Sequence, residues 1–152
     1  MNGLCSSEDG QAIIETAICL PVLLLLLAGV VDLSRLSQSY IVTASGAYAG
    51  AFYGSQSSVT AQDVAGMESA AVADDPAATV VAFSYYRCAD GSAPPTIYSG
   101  QSMVQERVVQ NACVTTHQLL YVVVTATAPF TPLLLTFLKQ TLTATAVMQV
   151  PT

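Results

Sequence analysis

The sequence predicts an α+β chain in which a long N-terminal helix, its first half membrane-inserted, packs on a small antiparallel β-sheet. Three observations predict it. From Ile13 to Val31 the chain is apolar apart from Glu15 and Thr16, nineteen residues or about 28 Å as a helix, close to the ~30 Å hydrocarbon core of a bilayer. Helical spacing then continues past this stretch through Leu33, Leu36, Tyr40, Ala44, Ala47 and Ala51. The C-terminal third carries β-branched segments with alternating patterns. Charged residues make up only 9% of the 152 and the mean hydropathy is +0.55, too apolar for an ordinary soluble domain, so part of the surface is expected to face lipid or partners.

Along the chain, residues 1–10 are short, polar and end in glycine, unlike a secretory signal with its basic start and small-residue cleavage site. Cys5 has no apolar stretch before it, which argues against lipidation there. Inside the apolar helix, Pro21 removes a backbone hydrogen bond, and a bend or unwound turn is expected between Ala17 and Pro21. Asp32 and Arg35 are spaced to pair on the wet side of the helix, and Gly54 with Ser-Gln-Ser-Ser behind it is a reasonable stop. The Ala-rich stripe of the outer half permits close approach of another element, either the sheet of its own domain or a partner.

Thr60 and Asp63 have capping-box spacing and open a second helix from Ala61 to about Ala73, ended by Asp74-Asp75-Pro76. Thr79 to Cys88 reads as a strand, followed by a loop with Asp90-Gly91 and Pro94-Pro95; Met103 to Asn111 fits helix or strand. Leu119 to Thr127 is the strongest strand signal, with Thr141 to Val150 as its antiparallel partner. Between them lies an apolar connection, Pro129 to Leu138. Its prolines and threonines make a second membrane span from Leu119 to Leu138 a poor helix, and an apolar turn that covers the sheet or meets a partner fits better.

Composition excludes several functions. Four basic residues (Arg35, Arg87, Arg107 and Lys139) against ten acidic ones, a net charge of −6, leave no patch to neutralise phosphates, so no nucleic acid is expected as partner. The single histidine, His117, has no neighbours at metal-ligand spacing, so neither a metal nor another cofactor is expected. No Ser/His/Asp, Cys/His or paired-carboxylate arrangement points to catalysis or to a small-molecule substrate. Of the four cysteines, Cys5 precedes the apolar helix and Cys19 lies in it; Cys88 and Cys113 fall in the remaining domain. In an oxidising compartment they pair by default, which on chain-entropy grounds stabilises by about 3.5 kcal/mol; two free buried thiols are the alternative.

The junction Gly10-Gln11-Ala12-Ile13-Ile14-Glu15, leading into Leu20-Pro21 and a poly-Leu run, resembles the TadE/TadF-like pseudopilins of the tight-adherence (Flp) pilus, in the type IV pilin superfamily. Gly29-Val30-Val31-Asp32-Leu33-Ser34-Arg35 resembles a further motif of that family, with Leu33 and Ser34 in place of two usual residues, and Pro129 to Leu133 and Leu142 to Met148 are similar to its ending. Glu8 and Asp9 stand where the family carries basic residues. The resemblance implies a pilin-like fold with a prepilin leader at 1–10, a transmembrane and extended helix at 11–54 and an extracytoplasmic domain at 55–152. It implies cleavage by a prepilin peptidase between Gly10 and Gln11, with Glu15 the fifth residue of the processed chain. The implied place is the bacterial inner membrane, with other pilin or pseudopilin subunits as partners.

A carboxylate within a membrane stretch asks for a partner, and the new α-amino group on a neighbouring subunit's Gln11 could supply one, setting helix register; snorkelling to the interface is the alternative. The function that follows is a minor pseudopilin, a non-enzymatic structural or assembly subunit. The competing function is a membrane-anchored adhesin or assembly factor that does not enter a filament.

Overall fold

Helical spacing that outlasts the apolar stretch becomes a single helix, α1 (Glu8–Gly54), 47 residues and about 70 Å long. It is seen in a computed structural model that describes residues 8–90, 96–98, 117–133 and 139–151. α1 stays α-helical across Pro21, so the unwound turn expected there does not form. Its start at Glu8 also takes the end of the polar N-terminal segment into the first helical turn. Among the described residues it is the one helix long and apolar enough to cross a membrane.

A 3-10 turn (Thr60–Gln62) leads into α2 (Val64–Asp74). The expected capping box is shifted. Asp63, not Thr60, is the N-cap: its Oδ1 accepts the Gly66 N–H at 2.9 Å, satisfying a donor the helix start leaves open. Thr60 instead exchanges hydrogen bonds with Ser57 in the preceding turn. The Asp63 Oδ2 accepts the Tyr53 hydroxyl at 2.9 Å, tying the end of α1 to the start of α2. The Gly66 N–H and then the Tyr53 hydroxyl hold the Asp63 carboxyl below its ordinary value, and the bond to Asp63 raises the Tyr53 phenol.

The sheet contains β1 (Thr79–Cys88), β2 (Thr96–Tyr98), β3 (Gln118–Phe130) and β4 (Gln140–Gln149) in the order β2-β1-β3-β4, every neighbour antiparallel. The short edge strand β2 is an addition to the expected set. β3 is a central strand that reaches Phe130, with Pro129 opposite Thr141, which removes any helical second span over this stretch. Met103 to Asn111 and residues 91–95 lie outside the described residues.

Even-numbered residues of β1, β3 and β4 face the helices. Ala82, Leu120, Val122 and Val124 form the core with Ala51, Ala61, Met67, Ala71 and Val150, and a second cluster joins Ala47 to Ala126 and Ala144. The Ala-rich stripe of α1 therefore packs on the chain's own sheet, alanine against alanine, which lets helix and sheet approach closely. α2 is closer still. A Cβ on Gly46 would lie 2.9 Å from the Ala71 carbonyl oxygen, one on Gly50 2.7 Å from that of Met67, and one on Gly54 would collide with the Met67 sulfur. This Gly-x-x-x-Gly-x-x-x-Gly ridge seats the α2 backbone directly on α1. At the other end of the contact, buried Thr43 donates to Asp75 Oδ2 at 2.9 Å, so the polar groups enclosed there are paired.

β3 runs back along α1. Val122 lies at the level of Gly54 and Val124 at that of Gly50, while the Leu133 N–H donates to Asp32 Oδ1 at 2.9 Å. The lengths agree: 22 helical residues rise about 33 Å and 11 extended residues, the last three beyond the end of β3, about 36 Å. Asp32 is 6% exposed, and this corrects the expectation that it stands on the wet side beside Arg35; its carboxylate turns inward to receive the chain leaving β3, while Arg35 is exposed.

Candidate functional site

The N-terminal half of α1 is bare. Every described side chain from Gly10 to Leu27 is exposed, and the first partly covered residues are Ala28 and Gly29. Ile13, Ile14, Ile18 and Leu23 to Leu27 leave more than half their surface open, in a helix that water would not tolerate bare. This is compatible with a membrane anchor, and among the described residues the rest of the chain packs only against the outer half.

The residues singled out from the sequence fall along this bare half and are not gathered into a cleft. Gly10 and Gln11 are exposed in the first turn, and a Cβ on Gly10 would meet nothing within 4 Å. Glu15 is exposed one turn further on and has no hydrogen-bond or ion-pair partner among the described residues. Near it Thr16 donates to the Ala12 carbonyl at 2.8 Å, a bond that satisfies the hydroxyl inside an apolar face. Pro21 is exposed further along the same bare half. Chemically this surface can do one thing well, which is to pack against lipid or another apolar helix while presenting one carboxylate.

The apolar surface does not stop where the domain begins. Ile41, Tyr48 and Phe52 are exposed on the face of α1 turned from the sheet, with the Tyr48 and Phe52 rings 6.4 Å apart. The alanine stripe stood out in the sequence and this outward line did not, although its spacing of seven and four was an available signal. The Gly46, Gly50, Gly54 ridge was also missed, equally visible as a repeat of four.

Cys88 ends β1, is 1% exposed and is not a free thiol; its expected partner, Cys113, lies outside the described residues. Cys19 is free and exposed on the bare half of α1. His117 is exposed before β3, with its carbonyl accepting the Ala89 N–H. No group of three or more His, Cys, Asp or Glu among the described residues is placed to hold a metal ion.

Residues 10–51 match the family model described as TadE-like protein. No curated protein matches the chain, and no solved structure does.

Proposed function

The chain is TadE-like over residues 10–51, and from that premise we propose that it is a minor pseudopilin, a structural and assembly subunit of a tight-adherence pilus, cut by a prepilin peptidase between Gly10 and Gln11. The observation that carries this reading is Glu15: a carboxylate without a partner among the described residues, inside the matched segment, on the half of α1 that the fold leaves bare. Such a group gains from a cation on a neighbouring helix, and the α-amino group created at Gln11 is one of fitting charge. The exposed junction, readily presented to a peptidase, supports the processing step. The outward line of Ile41, Tyr48 and Phe52 supports continued helix-on-helix contact beyond the bilayer. In this reading the protein is not an enzyme. Its partners are the peptidase, other pilin subunits and the inner membrane, with residues 55–152 outside the cytoplasm.

The test is recovery. The chain is expected in filaments sheared from cells, together with the other pilus subunits. Retention wholly in the membrane fraction, in cells that do make filaments, would favour the anchored adhesin or assembly factor instead.

Oxidation of Cys88 with Cys113 belongs to the same reading, because a domain outside the cytoplasm meets an oxidising compartment. A non-reducing peptide map should yield one cross-linked species containing both cysteines, lighter than the sum of the separate peptides by the loss of a hydrogen from each thiol. Alkylation of either thiol without prior reduction would count against it.

A further inference from the structure

The exit of β3 and the entry of β4 lie at the level where the apolar stretch of α1 ends, and the exit is held there by a part-buried hydrogen bond. β3 descends along the outer half of α1 and hands the chain to Asp32, whose Oδ1 takes the Leu133 N–H. Asp32 directly follows Val31, the last residue of the apolar stretch. Phe130 and Pro132 are buried and, with Gln140, line a small groove against Gly29, Leu33 and Leu36, so the segment overlaps the final turn of that stretch. If α1 spans a bilayer, this segment meets the bilayer surface.

What it presents there is apolar. Leu133 is 62% exposed although its own backbone is tied down. Lys139 is exposed beside Gln140, and Arg35 is exposed one turn beyond Asp32. Thus two of the four basic residues in a chain of net charge −6 lie at this one level. An exposed leucine flanked by basic side chains is the composition that suits an acyl–headgroup boundary, with aliphatic stems and leucine in the apolar layer and cations at phosphates.

We propose that the exit of β3 is a second membrane contact, in which Leu133 enters the lipid surface and Lys139 and Arg35 meet anionic headgroups, seating the domain on the bilayer. The inference rests on the reading of α1 as a membrane anchor. The Asp32 hydrogen bond is then the strut that fixes the domain's height and tilt relative to the helix.

The chain contains no tryptophan, so a single introduced one is a clean reporter. Leu133→Trp, Leu24→Trp and Val59→Trp are each placed in the full chain, reconstituted into phosphatidylcholine–phosphatidylglycerol vesicles with or without acyl-brominated lipid. Position 24 reports the anchor; position 59, 76% exposed past the far end of α1, reports the water-facing end. The indole at position 133 is expected to be quenched by brominated lipid several-fold more than the one at position 59, to emit further to the blue, and to be shielded from aqueous iodide. Quenching at 24 but not at 133, with position 133 as open to iodide as position 59, overturns the inference and leaves the anchor standing. Blue-shifted emission from position 133 that ignores brominated lipid puts protein there and overturns it as well. Loss of quenching at 24 removes the anchor, and this contact with it.

Discussion

Gly50→Leu is expected to unfold the packed half of the protein. A Cβ alone at this position would stand 2.7 Å from the Met67 carbonyl oxygen and 3.1 Å from both Ala71 Cβ and Val124 Cγ1. The helix–helix spacing is set by glycine, and neither the α2 backbone nor the sheet behind it can retreat without opening the core around Met67 and Ala71, both fully buried. Overpacking typically costs about 1–3 kcal/mol even where neighbours give, and here the rest of a leucine side chain follows the first carbon. Against a net stability of about 5–15 kcal/mol for a whole domain, that is a large share. Gly50→Ala should be milder, because helix propensity returns up to about 1 kcal/mol against the clash. Gly29→Ala, with nothing within 4 Å of the added carbon, should leave stability unchanged or raise it. Thermal or urea unfolding in detergent, followed by circular dichroism, orders the three. Equal stability of Gly50→Leu and the parent chain would mean that α2 does not lie on the glycine ridge.

The second large effect concerns assembly. Glu15→Ala is expected to lower recovery in sheared filaments by about tenfold, the ratio given by about 1.4 kcal/mol of lost pairing, with the membrane-bound amount unchanged. Removing the carboxylate makes membrane insertion easier, since a charge costs a few kcal/mol at the bilayer centre and less near its edge. A fall in filament yield therefore cannot come from failed insertion. Glu15→Gln, which keeps a hydrogen-bond acceptor but no charge, should fall between the two. Unchanged recovery of Glu15→Ala would leave snorkelling as the whole account of this residue.

The long helix and β1 were legible because their signals are local. Apolar length marks the half that is compatible with a membrane anchor, and the β-branched run from Thr79 to Cys88 gives that strand its bounds. The alternation after Leu119 found β3 but stopped at Thr127, because Pro129 reads as a breaker. The structure tolerates it at the strand's end, opposite Thr141, and carries β3 on to Phe130. Asp32 was read as a wet residue because its charge and the nearby Arg35 are all the sequence displays; its acceptor role depends on Leu133, about a hundred positions away. The Thr60 cap failed for a smaller reason, since Ser57 offers Thr60 a competing turn and leaves the cap to Asp63. Gly10, Gln11 and Glu15 stood out through the resemblance of the helix start to a family motif, and residues 10–51 are the segment that the TadE-like match covers. Local sequence marks the face of α1 that another element can approach, but not whether the chain's own sheet or a partner takes it. That choice follows from the small residues at 43, 44, 46, 47, 50 and 51, which permit the approach, and it leaves Ile41, Tyr48 and Phe52 outside.

In the proposed function this helix is made ready for assembly by a cut at its first turn. Mass spectrometry of the N-terminal peptide of the protein from pilus-forming cells reads that cut directly. A peptide beginning at Gln11 is predicted in both membrane and filament fractions. A filament-borne chain that still carries the residues before Gln11 would mean that assembly does not need the cut.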